Sequence, residues 1–223
     1  YVSTSDTATS DSFTFKVNDG TVDSVAATVS IAITAVNDAP VATAQTDVAA
    51  TEQTEVTLTL VGTDADSDTL SYVISTLPTS GTLSDNGTVI TAADLPKTTT
   101  SADVVYVSTS DTATSDSFTF KVNDGTVDSV AATISIAITA VNDAPVANAQ
   151  TVTTIEDISL DVTLSGSDVD GDAISYTIVD NPTNGTVSLT DNKATYVPSA
   201  GYFGSDSFTF KVNDGTVDSE KGT

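Results

Sequence analysis

The chain has 223 residues, with 31 acidic side chains against six basic ones, no His, no Cys and a formal net charge of −25. Such a charge repels a nucleic-acid backbone and an anionic membrane surface, and the missing Cys rules out disulfides and thiolate metal sites. Without His or Cys the usual Ser-His-Asp and Cys-His arrangements cannot form, no Gly-rich phosphate cradle appears, and the chain reads as non-enzymatic.

Hydrophobic residues make up 39% of the chain and aromatics only 6%, with no Trp. Thr, Ser, Val and Asp dominate. β-Branched side chains lose χ1 freedom in a helix and pack well on a pleated surface, so the composition predicts strands and almost no helix. No apolar run approaches the roughly 20 residues of a membrane helix, so membrane insertion is not expected. No leader opens the chain, and targeting information is expected elsewhere in a longer parent protein.

In chain order, Tyr1–Ala42 recurs at Tyr106–Ala147, a shift of 105 residues, with Val29 against Ile134 as the one difference. The segment SDSFTFKVNDGTVDS begins at Ser10, Ser115 and Ser205; the last shift is 90, so the final copy is about 15 residues shorter. GTDADSDTLSY from Gly62 aligns with GSDVDGDAISY from Gly166, which places the missing residues near Thr91–Thr100. The unit is as long as a domain, far beyond a solenoid repeat, so each copy is expected to have its own core.

Residues 1–37 then read as the C-terminal part of a first repeat, 38–142 as a complete repeat, and 143–223 as a repeat without its last strand. Two explanations of the incomplete ends stand: a cut through a longer protein, which is preferred, and strand exchange between copies. Period-two alternation marks half-buried antiparallel strands at Val56, Leu58, Leu60; at Leu70, Tyr72, Ile74; at Phe118, Phe120, Val122; and at Ile134, Ile136, Ile138. Turns fall at Pro78–Gly81, Asn86-Gly87 and Asp124-Gly125. The fold class that follows is all-β: tandem immunoglobulin-like Greek-key β-sandwiches of about seven strands each.

In that topology the B-C and F-G loops emerge at the pole where the chain enters. Asp64, Asp66 and Asp68 fall in the B-C loop of the middle repeat and Asp168, Asp170 and Asp172 in that of the last; Asp124 and Asp214 fall in the F-G loops. Just upstream lie the linkers that carry Asn37-Asp38 and Asn142-Asp143. Calcium takes roughly six to eight oxygen ligands in irregular geometry, so these residues are candidate Ca2+ ligands. An EF-hand is rejected, because Ala173 follows Asp172 and Val179 occupies the twelfth position, where a bidentate Glu is needed. Solvated turns are the plain alternative throughout, and a β-turn role alone explains Asp124 and Asp214.

Linker VNDAP, loop GSDVDGDAISY, turn PTNGTV and segment GYFGSDSFTFKVNDG together resemble bacterial cadherin-like and VCBS-type repeats of large RTX-type adhesins. The resemblance covers essentially the whole chain. It implies export, a cell-surface location, and calcium at domain junctions that stiffens an extender segment. It also implies that Glu52, with Asp111 and Asp116, joins the second junction. The family's Glu-Asp pair stands at Glu156-Asp157 but reads Glu52-Gln53 in the middle repeat, implying a reduced site or fewer ions there.

Two readings of the function follow. One is a calcium-stiffened spacer that projects a distal binding domain in cell adhesion or biofilm formation, its partners being neighbouring repeats of the same chain, with homophilic contacts open. The other is a glycan-binding or fibre-forming matrix module, for which exposed aromatics are wanting: Tyr106 and Tyr202 read as strand or core residues. Asn86-Gly-Thr and Asn184-Gly-Thr are formal glycosylation sequons but read as hairpin turns. Alternation turns Lys121 to solvent.

Overall fold

A computed structural model describes all residues, 1–223. The chain divides into two compact units, Tyr1–Thr139 and Ala140–Thr223. No helix is long and apolar enough to cross a membrane; the one helical turn is a 3-10 turn at Ala92–Asp94.

The first unit opens with an antiparallel hairpin of β1 (Ser10–Phe15) and β2 (Ala27–Ala32), in which Phe13 pairs with Val29. Its apolar side chains are uncovered: Phe13 is 54% exposed, whereas Phe118, its copy in the complete repeat, is 1% exposed. The difference lies in what packs on them. The complete repeat continues through β3 (Val41–Thr43), β4 (Gln45–Thr51), β5 (Val56–Thr59), β6 (Val61–Thr63), β7 (Ser71–Thr76), β8 (Gly81–Asp85) and β9 (Thr88–Val89). After the 3-10 turn come β10 (Lys97–Thr98), β11 (Asp103–Ser108), β12 (Ser115–Asn123) and β13 (Ala132–Thr139).

One sheet has the order β10-β7-β12-β13-β4 and the other β5-β11-β8-β9. β4 runs parallel to β13 while the other neighbours are antiparallel. This is the Greek-key sandwich expected of the sequence, with β4, β5, β7, β8, β11, β12 and β13 as the seven main strands. Alternation places Leu58, Ile74, Leu83, Tyr106, Phe118, Phe120, Ile134 and Ile136 between the sheets, all at or below 2% exposed. Lys121, between the inward Phe120 and Val122, points outward and pairs with Asp128 at 3.5 Å.

The second unit repeats the scheme with β14 (Val146–Ala147), β15 (Leu160–Thr163), β16 (Gly166–Ser167), β17 (Ser175–Asp180), β18 (Gly185–Thr190), β19 (Lys193–Pro198) and β20 (Thr209–Asn213). Val162, Leu164, Ala194, Phe210 and Val212 form its core. Beside β15 and β20 a cleft of about 530 Å³ opens among Leu160, Phe208 and Phe210. The length difference between copies falls where expected. β8 reaches β11 through residues 86–102, whereas β18 returns directly to β19 around Asp191-Asn192, with Asp191 at φ 53.

Two expectations are corrected. Asn86-Gly87 is a hairpin turn, at φ 47 and 76, but Asn184-Gly185 is not. Gly185 begins β18, where an added Cβ would lie 2.6 Å from both the Tyr196 ring and Val197 O, and Gly81 stands in the same relation to Tyr106 and Val107. The glycine therefore serves a close approach of strand to ring. Tyr106 is a core residue, but Tyr202 is half-buried in a loop, its hydroxyl donating to Ser205 O at 2.7 Å.

Candidate metal centre

Strand β6 ends at Thr63, and the chain turns through Asp64–Thr69 before β7, which leaves three carboxylates on a short bend. Oxygens of Asp64, Asp66 and Asp68 all lie within 4.8 Å of one another. The bend holds itself: Asp68 N–H donates to Asp64 Oδ1 at 3.0 Å, and Ser67 adopts φ 67. Gly171 takes that position in the second unit at φ 84, so both loops share one conformation and Ser67 bears the steric cost of the left-handed region.

The linker is tied into this loop. Asp38 N–H donates to Asp66 Oδ2 at 2.7 Å, and Asn37 Nδ2 donates to Asp124 Oδ2 at 2.8 Å. The second unit repeats each bond: Asp143 N–H to Asp170 Oδ2 at 2.8 Å, Asn142 Nδ2 to Asp214 Oδ2 at 2.8 Å, and Asp172 N–H to Asp168 Oδ1 at 3.0 Å. What remains is informative. Asp64 Oδ2, Asp66 Oδ1 and Asp168 Oδ2 are buried and accept no hydrogen bond. A buried carboxylate oxygen without a donor is costly, and the two on the Asp64–Asp68 loop repel each other, so this set could hold a hard cation with oxygen ligands only.

Asp124 and Asp214, candidate ligands by sequence, have other work. Asp124 Oδ1 accepts from the N–H groups of Thr126 and Val127 and from the Thr126 hydroxyl, while Oδ2 takes the Asn37 amide. The Asn37 amide first, then the Val127 N–H, hold the Asp124 carboxyl far below the usual carboxylate range. Asn142 and Val217 do the same for Asp214. Both side chains act as clamps between the linker and the F-G turn.

Asp116 likewise has both oxygens engaged by donors of its own domain. It is 8% exposed and accepts from Thr79 N–H and Ser80 N–H at 2.9 Å, Ser117 N–H at 2.8 Å and the Tyr106 hydroxyl at 3.0 Å. Its oxygens are consumed in fastening the β7–β8 turn to β11 and β12. Asp206 repeats this corner in the second unit with Thr183, Asn184, Ser207 and Tyr196. Burial, with Asp116 beside it, raises the Tyr106 phenol well above its ordinary value.

Glu52 is 2% exposed, with a carboxylate oxygen within 4.8 Å of one of Asp111. Gln53, which sequence reasoning noted only as a departure, donates from Nε2 to Asp111 Oδ1 at 3.3 Å and to Glu52 Oε1 at 3.5 Å. Nothing in the sequence short of the turn geometry signals that reach.

The bacterial Ig domain family model matches residues 37–137 and 142–223. The chain belongs to that family. Over 185 residues it is 33% identical to the integrin beta-like protein A of Dictyostelium discoideum, covering 78% of this chain and 10% of that protein. The chain therefore spans about a tenth of that relative. Among solved structures it is similar to protocadherin gamma B2 extracellular cadherin domains 1-5, with a TM-score of 0.52 at 15% identity, covering 88% of this chain and 41% of the other. A protocadherin gammaB7 EC3-6 cis-dimer structure gives 0.50 at 15% identity, covering 90% and 55%. At that identity the likeness establishes the tandem cadherin-like sandwich fold alone.

Proposed function

We propose that this chain is a spacer segment of a bacterial surface adhesin in which the Asp loop of each repeat binds calcium and thereby fixes the linker that enters the repeat. The reading is carried by Asp64 Oδ2 and Asp66 Oδ1, buried without a donor beside Asp68 on a loop that already holds the linker. Bound Ca2+ would supply the positive charge that this oxygen set lacks. Asp64, Asp66 and Asp68 would hold it in the first unit, and Asp168, Asp170 and Asp172 in the second.

The chain's own groups pass the effect on. Asp66 reaches the ion side with Oδ1 and the Asp38 N–H with Oδ2, so ordering the loop orders the linker backbone. Asn37 and Asp124 pin the same linker from the F-G side without needing an ion. Near-identical repeats suit a spacer, which needs length rather than a unique site, and a bacterial Ig domain array fits an extracellular, adhesion-type setting. Neighbouring repeats of the same chain are its natural partners.

Calorimetric titration of the chain with CaCl2 tests this, with affinities expected between about 10⁻⁶ and 10⁻³ M. Asp66→Asn removes the first loop's share of the heat and Asp170→Asn the second's. In small-angle scattering the wild type is expected to show a fixed maximum dimension in calcium and a shortened or broadened distribution in EGTA. No heat at millimolar calcium would sink the reading and leave the Asp loops as solvated turns.

A further inference from the structure

The turn that joins β4 to β5 is strained for a purpose the calcium loop does not explain. Thr54 N–H donates to Thr51 O at 3.2 Å, closing a four-residue turn whose third residue, Gln53, stands at φ 54. Glycine or asparagine is the ordinary occupant of such a position. A glutamine held there is accounted for by what its side chain reaches, since strain of this kind persists where the surroundings use it.

Gln53 reaches two carboxylates. One amide NH2 carries two hydrogens, and Nε2 lies 3.3 Å from Asp111 Oδ1 and 3.5 Å from Glu52 Oε1, so one group serves both. Glu52 is 2% exposed and its carboxylate lies within 4.8 Å of that of Asp111, a spacing at which two negative charges in a half-dry setting repel. The second unit builds the same turn, with Ile158 N–H to Ile155 O at 3.2 Å and Asp157 at φ 61. There the side chain is itself a carboxylate and accepts from Gly201 N–H at 2.9 Å. An aspartate cannot donate to its neighbours; a glutamine can.

We propose that Gln53 is a built-in substitute for a cation: its amide hydrogens hold Glu52 and Asp111 together, so this turn stays ordered without a divalent ion. Strand residues 56–63, about 26 Å at the usual rise, separate the turn from the Asp64–Asp68 loop. One domain thus has one end whose order is independent of calcium and one whose order depends on it. Only the second half of that contrast rests on the calcium reading. Gln53 sets which end of the repeat responds to the ion, and a Gln or an Asp at this position distinguishes the first unit from the second.

Amide hydrogen exchange followed by mass spectrometry on the whole chain, in millimolar CaCl2 and then in EGTA, tests the assignment. In the wild type, peptides spanning 52–54 should exchange alike in both buffers, while those spanning 64–70 speed up about tenfold in EGTA. Gln53→Glu, nearly isosteric, should make the turn exchange about fivefold faster in EGTA and recover in CaCl2, because the side chain loses the hydrogens it donates and adds a negative charge that a cation must offset. Gln53→Gly, which relieves the backbone, should also loosen the turn in EGTA and not recover. The proposal is overturned if the wild-type turn loosens on chelation as the loop does, or if both variants exchange like the wild type in EGTA. A loop indifferent to chelation would refute the calcium reading instead, and leave the comparison of Gln53 variants in EGTA to stand by itself.

Discussion

Asp116→Asn separates a structural carboxylate from a metal ligand by its size and by its indifference to calcium. Asp116 is 8% exposed; Oδ1 accepts from Thr79 and Ser117 N–H, and Oδ2 from Ser80 N–H and the Tyr106 hydroxyl. An asparagine keeps one acceptor, so its NH2 must face two donors whichever way it turns. The cheaper arrangement puts NH2 where Oδ2 stood, because the Tyr106 hydroxyl can rotate and accept, leaving Ser80 N–H orphaned. One charge-assisted bond lost, and the others weakened to neutral ones, costs about 2–4 kcal/mol. Against a domain stability of about 5–15 kcal/mol, that lowers the melting temperature of the first unit by roughly 10–25 °C. Differential scanning calorimetry of the full chain in CaCl2 and in EGTA measures it. Equal losses in both buffers are expected. A loss confined to calcium would make Asp116 a ligand after all, and a loss under about 0.5 kcal/mol in both would refute the hydrogen-bond ledger.

Gly185→Ala should cost about 2–3 kcal/mol, because its Cβ would sit 2.6 Å from the Tyr196 ring and from Val197 O, whereas Gly171→Ser should cost only about 1 kcal/mol. Nothing lies within 4 Å of the Cβ position at Gly171, and Ser67 already adopts the same conformation; chemical denaturation of the two variants gives the comparison. The Asp124 clamp has a pH signature. The Asn37 amide and the Val127 N–H depress its folded pKa, so its contribution is complete above the unfolded value of about 3.9 and is lost as pH falls through the lower folded value. The side-chain amide signals of Asn37 in NMR should hold steady from pH 7 down to about 4 and shift only below it. Movement centred near 3.9 would show that the clamp is not formed.

The sandwich was legible because its signals are local and repeated. Period-two apolar runs named the inward faces of β5, β7, β12 and β13, and the comparison of copies placed the excursion near Thr91–Thr100, inside the connection that the fold makes through residues 86–102. The fates of the carboxylates were not legible in the same way. Asp66, Asp116 and Asp124 are alike as letters, and only the donors around them distinguish an oxygen left bare from one fully engaged. Asn184-Gly185 misled for a related reason: the dipeptide is a turn signal, but Tyr196 claims its glycine for contact across the sheet. Aligning Gly81 with Gly185, and Tyr106 with Tyr196, is the comparison that would have shown it.

The two copies also differ in how they travel between the same pair of strands. Where β18 returns to β19 within a few residues, β8 and β11 are joined through β9, a 3-10 turn and β10, with Ile90 plugging the core and Asp85 accepting from Thr100 N–H and hydroxyl. Each core closes with its own connection, so this hairpin tip is a natural grafting port. The entropic cost of lengthening a loop grows only logarithmically, about 0.6 kcal/mol per doubling. A peptide tag or epitope of about a dozen residues, placed at Asp191-Asn192, would ride on an intact sandwich, far along the chain from the Asp168–Asp172 loop.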